Sequence, residues 1–157
     1  MSGADVVEQR IKAATEGMPK ACCNKLLRLG NGNGVIIADY LIKYKLEATK
    51  GVKDSTRATV CNNLELFARR VNKPFIDITR DDVLGYLDGL KKPEDKDPRQ
   101  KWRGVATLYS IHITQFFKWL HYPDIGPKRR QPPAVVDDLP RYEKPDTPFL
   151  RIDIVYP

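Results

Sequence analysis

The chain has little of what most catalytic and metal chemistry requires. Of its 157 residues only two are histidine and three are cysteine. Neither His112 nor His121 is followed by an arginine at a useful spacing, and neither forms a metal-ligand pattern with Cys22, Cys23 or Cys61. A zinc site needs paired Cys or His ligands at short fixed spacings, so no metal is expected. The odd cysteine count fits a reducing compartment, and the vicinal Cys22–Cys23 pair reads as two bystander thiols. No run of roughly 18 apolar residues occurs, which leaves no membrane span. The first 17 residues mix charge with Val and Ala and lack an apolar signal core, so no signal peptide is expected. Gly30-Asn31-Gly32-Asn33-Gly34 lacks the Lys-Ser/Thr pair and the preceding strand of a phosphate loop. Asp81-Asp82 reads as a helix cap, not a carboxylate dyad. No cofactor, no small-molecule substrate and no self-sufficient active site are expected.

What is present is positive charge. The net charge is +7, the isoelectric point is near 9.3 and the mean hydropathy is -0.47. That balance favours an anionic partner. Residues 35–121 hold 16 Lys/Arg against 11 Asp/Glu, whereas 122–157 hold six of each, so the excess lies where the chain looks folded. With 41% hydrophobic residues, one modest core is available.

Three zones follow from the patterning. Residues 1–34 carry a short helical pattern (Val7, Ile11, Ala14), interrupted at Met18-Pro19 and broken at Asn31–Gly34, and read as an arm or loosely attached helix. Residues 35–122 read as four helices. The first, 35–48, places Ile37, Leu41, Tyr44 and Ala48 on one face, with Gly51 as a stop. The second, 55–72, has Asp54 or Ser55 as N-cap and a stripe of Val60, Leu64, Phe67, Ala68 and Val71; Lys73-Pro74 ends it. The third starts at Thr79, with Asp82 at capping-box spacing and Ile78 and Val83 placed as a hydrophobic staple. The fourth, 101–121, has a core face of Tyr109, Ile113, Phe116, Phe117 and Leu120. Residues 123–157, with 8 of the 12 prolines in 122–157, read as an extended linker, with a weak strand signal over 149–156.

Two polar stripes stand out. On the last helix Arg103, Thr107, Ser110, Thr114 and Lys118 recur at i, i+4, i+7, i+11 and i+15 without an acid. On the second, Ser55, Thr59, Asn62, Arg69 and Lys73 lie away from the apolar stripe, with Lys53 just before it. Donors and cations of this kind suit phosphates and base edges in a major groove; the alternative is an ordinary solvated face. Lys128, Arg129 and Arg130 form a short basic run suited to non-specific contact. The lysines of 91–101 alternate with Glu94, Asp95 and Asp97, so that segment reads as a solvated loop, not a phosphate clamp.

Ser55-Thr56-Arg57, then Ile78-Thr79-Arg80-Asp81-Asp82-Val83-Leu84-Gly85-Tyr86-Leu87, then Phe116-Phe117-Lys118-Trp119-Leu120 follow one another in an order that resembles the core-binding domain of tyrosine recombinases and phage-type integrases. The segment after Trp119 looks like the linker of archaeal integrase-like members. The resemblance covers about 36–130. It implies an all-α, SAM-like compact bundle of four to five helices with a Pro-rich C-terminal tail, gripping one face of duplex DNA while a catalytic domain closes on the other. The family's catalytic Arg, Lys, His-x-x-Arg and Tyr set has no counterpart here, so the chain is not expected to be an enzyme.

The reading is therefore double-stranded DNA binding at recombination or integration sites, as the non-catalytic half of a clamp. Other recombinase protomers on DNA are further candidate partners, and a cytoplasmic, nucleoid-associated location is expected. The rival is a helical protein–protein adaptor with a basic surface. A domain piece, a truncated gene product and a free-standing binder all fit the sequence.

Overall fold

The computed structural model describes residues 3–142. Within them the protein is all-α: six α-helices, three short 3-10 turns and no strand. The helices are α1 (Gly3–Ala14), α2 (Lys20–Arg28), α3 (Asn33–Glu47), α4 (Asp54–Val71), α5 (Arg80–Asp88) and α6 (Trp102–His121).

The first 34 residues depart from the expected arm. They supply two helices, and Ile11, Ala14, Cys22 and Leu26 are buried in the common core. Helices this short do not persist alone in water, so their order comes from packing an apolar edge against α3 and α4. Pro19, taken as an interruption, sits at the N-cap of α2, where a proline opens a helix. Buried Arg57 fastens the arrangement: its guanidinium donates to the Ala14 carbonyl at 2.6 Å and to Asp54 at 3.3 Å, holding the end of α1 against the start of α4.

The glycine-rich break is a crossing point. Gly32 has φ +71°, and a Cβ on Gly34 would stand 2.1 Å from the Leu26 carbonyl oxygen. Only glycine lets α2 and α3 approach so closely. Between them Asn33 is fully buried. Its amide donates to the Lys73 carbonyl at 2.8 Å and accepts from the Phe75 N–H at 3.2 Å, which ties the α4–α5 connection to the start of α3.

The apolar stripes pack as the periodicity predicts. Ile37 and Leu41 of α3, Val60, Leu64, Phe67 and Ala68 of α4, Val83 and Leu87 of α5, and Ile113, Phe116 and Phe117 of α6 are all buried. Phe75, Phe116 and Phe117 form an aromatic centre, with Phe75 and Phe116 rings 4.6 Å apart and the Tyr40 ring set edge-on to Phe116 at 5.3 Å. The Thr79–Asp82 capping box is formed. The N-cap of α4 is Lys53, with no side-chain cap, so Asp54 is the first helical residue instead of the cap.

Residues 123–142 do not run out as a linker. They turn twice (Pro127–Arg129 and Ala134–Val136) and lie back along α5 and α6, with Val136 and Tyr142 buried. Arg80 donates to the carbonyls of Asp137 and Asp138, both at 2.8 Å, and secures the return. The expected strand over 149–156 lies outside the described residues. No helix among the described residues is long and apolar enough to cross a membrane.

Candidate nucleic-acid interface

The outer face of α4 remains a surface. Ser55, Thr59, Arg69 and Lys73 are exposed, and Lys53 is exposed at the helix start. Several of these side chains are nonetheless tied down. Thr59 donates to the Ser55 carbonyl at 3.0 Å. Asn62 accepts from Lys25 at 3.3 Å. Arg69 donates at 2.9 Å to Glu65, whose carboxylate is buried. Lys73 donates at 2.9 Å to Asp82; the Thr79 backbone N–H and then Lys73 hold that carboxyl below its ordinary pKa.

The stripe on α6 has a different fate. Thr107, Ser110 and Thr114 line an open cleft of about 380 Å³ together with Pro132, Val136, Leu139 and Tyr142, and Thr107 stays exposed. The Thr107 hydroxyl lies 2.8 Å from the Arg103 carbonyl and 3.2 Å from that of Tyr142. Arg103 sits over the Trp102 ring at 5.0 Å and donates to Gln100. Lys118 borders a separate cavity with Tyr40, Tyr44 and Glu47. The side of α6 that meets α4 is another one, where Asn63 and His112 Nδ1 are 2.9 Å apart. The α6 stripe therefore lies against the returning segment 132–142, on another side of the helix from the one that meets α4.

Arg130 also departs from expectation. It is buried, pairs with both Glu47 oxygens at 2.8 and 3.1 Å, and donates to the Tyr122 and Pro123 carbonyls. A guanidinium so occupied holds the chain return and is not offered to phosphate. Lys128 and Arg129 beside it are exposed.

Other cations come together instead. A cleft of about 540 Å³ between α2 and α4 is lined by Lys25, Arg28 and Arg69, with Glu65 and Asn72. On the opposite flank of α4 a cleft of about 440 Å³ is lined by Arg70, Lys92, Lys96 and Lys101, with Asp97, Leu66, Trp102, Val105 and Tyr109. Neighbours in a helix point about 100° apart, so Arg69 and Arg70 splay to the two sides of one ridge. Lys25 and Arg28 escaped the sequence reading because α2 did, although a helix with two cations at i, i+3 and no acid was visible. The 91–101 lysines were discounted for their interleaved acids. Asp97, half-exposed, accepts from the Trp102 backbone N–H at 3.0 Å, a bond that lowers its pKa.

Burial lowers the His112 pKa, so at neutral pH its ring is uncharged and is no phosphate contact. The buried Cys61 thiol is pushed up to about 12 by desolvation and by neighbouring Cys22, which leaves it protonated and a poor nucleophile. Among the described residues no group of three or more His, Cys, Asp or Glu is placed to hold a metal ion. No family model matches the chain, and no curated protein or solved structure matches it either.

Proposed function

We propose that this protein binds duplex DNA with the outer face of α4 in the major groove and a cationic cleft on each side of that helix facing one phosphate strand. The observation that carries the reading is the pair of clefts divided by Arg69 and Arg70. Together they hold seven cations against two carboxylates, Glu65 and Asp97. Glu65 is buried and bonded to Arg69, and the half-exposed Asp97 accepts from the Trp102 backbone N–H. A helix with its side chains is about 10–12 Å across, and the major groove is about 12 Å wide, so a ridge flanked by cations on both sides matches a groove flanked by phosphates. Asn62 accepts from Lys25 and Thr59 donates to the Ser55 carbonyl, so few polar groups on this face are free for base edges and the phosphate term dominates affinity. The ordered motifs that resemble a recombinase core-binding domain make recombination or integration sites the context, with this chain as the non-catalytic half of a clamp.

Fluorescence anisotropy with a labelled duplex tests this. Affinity should fall with salt at a logarithmic slope of about 0.9 per phosphate neutralised, and Arg28→Glu should reduce that slope. Salt-insensitive binding, or none to any duplex, would sink the reading.

A second reading has its own observation. Val105, Leu108 and Ile111 are exposed along α6, at 43%, 42% and 47%. An apolar stripe of this kind suits a protein partner. Capture of one defined protein that survives nuclease treatment and is lost in Leu108→Glu would favour the adaptor.

A further inference from the structure

The cleft beside Arg70 differs from its counterpart across α4 in one respect: it has an aromatic floor. Trp102 and Tyr109 line it together with four cations, Arg70, Lys92, Lys96 and Lys101. The α2-side cleft has no aromatic residue. A phosphate backbone alone asks for charge and gives a tryptophan nothing to touch. A docked protein segment would use the apolar floor but would not need four cations around it.

We infer that this cleft receives a single unpaired nucleotide, with its base against Trp102 and Tyr109 and its phosphate among the lysines and Arg70. Base–aromatic stacking tolerates every base, and cations tracking the backbone supply the rest. A paired base in a duplex keeps its faces inside the stack, so only an unpaired one offers ring and phosphate together. The volume of about 440 Å³ lies in the range of small-ligand sites, roughly 300–1,000 Å³. The floor is held in place. The Trp102 ring has the Arg103 guanidinium over it at 5.0 Å and the Tyr142 ring at 5.6 Å. The Trp102 backbone N–H donates to Asp97 at 3.0 Å, which ties the start of α6 to the lysine-bearing loop. The inference rests on the nucleic-acid reading for its partner, although a free nucleoside phosphate has the same chemistry.

The test uses the full chain with Trp119→Phe, which leaves Trp102 as the only tryptophan. Its fluorescence is followed during titration with adenosine monophosphate, a short single-stranded oligodeoxyadenylate, ribose 5-phosphate and a duplex. The two base-bearing single-stranded probes should quench Trp102, and ribose 5-phosphate should not. Tyr109→Leu keeps the packing and removes the ring, and Lys96→Glu with Lys101→Glu reverses the rim. Each should weaken quenching by roughly tenfold with helical circular dichroism unchanged. Quenching by the oligonucleotide alone assigns the cleft to a strand, and quenching by both assigns it to nucleotides in general; either supports the inference. Equal response to ribose 5-phosphate, or insensitivity to both variants, overturns it. Duplex binding without any quenching by single-stranded probes overturns it and leaves the α4 reading standing. Quenching without duplex binding does the reverse.

Discussion

Helices α4 and α6 carry outward stripes of nearly the same chemistry, yet only the one on α6 is partly covered by a returning segment of the chain. Ser55, Thr59 and Arg69 on α4, and Lys73 just past its end, meet solvent. Thr107, Ser110 and Thr114 on α6 meet the chain's own residues 132–142. Small hydroxyls explain the second case as well as they would a DNA groove. They bond back to their own helix, as Thr107 does to the Arg103 carbonyl, and leave room for a proline-rich segment to lie close. An acid-free stripe thus marks either an anion-facing side or a side where a neighbouring segment packs. Cation placement differs in detail: on α4 Lys53 precedes the stripe and Arg69 and Lys73 gather at its far end, whereas on α6 one cation, Arg103 or Lys118, stands at each extreme.

The largest expected effect comes from releasing the cover on α6. Arg130→Ala would leave Glu47 without its partner and two carbonyls without a donor. Breaking a buried pair in this way costs about 2–3 kcal/mol here, because Glu47 keeps some exposure. Urea denaturation should show the loss, and amide exchange over 134–142 should quicken more than over α4. Unchanged exchange there would mean that the return is held by something other than Arg130.

Next in size is the comparison of the two faces themselves. Arg70→Glu should weaken duplex affinity about tenfold or more at low salt. Arg70 suits this purpose better than Arg69, whose removal would strand the buried Glu65. Ser110→Ala and Thr114→Ala should stay within about twofold of the parent by the same anisotropy assay. The opposite ranking would move the interface to α6 and require the 132–142 segment to leave it.

Much of this fold is legible in the sequence because it depends on local periodicity. The stripes Val60–Leu64–Phe67 and Ile113–Phe116–Phe117, and the Thr79–Asp82 cap, follow from spacing alone. The missed parts depend on contacts far apart in the chain. The order of α2 comes from Cys22 and Leu26 packing into the common core and from the Gly34 crossing, and no window of α2 contains these partners. Arg130 looked like a free cation because its partner, Glu47, lies 83 residues away. The candidate site divides in the same way. Arg69 follows from helical spacing, whereas Lys96 and Lys101 come beside Arg70 only because Asp97 ties their loop to the start of α6.

A smaller effect probes the cover at a single atom. Thr107→Val keeps the shape of the side chain and removes the hydroxyl, whose one proton is shared between the Arg103 carbonyl at 2.8 Å and the Tyr142 carbonyl at 3.2 Å. The loss should be about 1 kcal/mol, the usual worth of one such bond. It should fall on the 132–142 return, and duplex affinity should not change. A drop in affinity with unchanged stability would instead place Thr107 at the DNA.

The finest test concerns the side of α6 that meets α4, where His112 and Asn63 face each other at 2.9 Å. Burial depresses the His112 pKa below 6.5. As pH falls past about 6.5 the unfolded chain takes up a proton that the folded chain resists, so stability declines from there down through the folded pKa and then levels. Asp82 acts in the same direction, but only at pH values below the ordinary carboxylate range, since its own pKa is lowered. The two limbs should therefore separate in denaturation midpoints measured against pH. His112→Gln, which can still accept from Asn63, should flatten the upper limb and spare the lower. Duplex affinity corrected for protein stability should not strengthen across that upper limb, because a ring held neutral between two helices adds no charge to the interface. If affinity rose sharply with protonation of His112, that ring would have to reach phosphate, and the α4–α6 seam would be part of the DNA-facing surface.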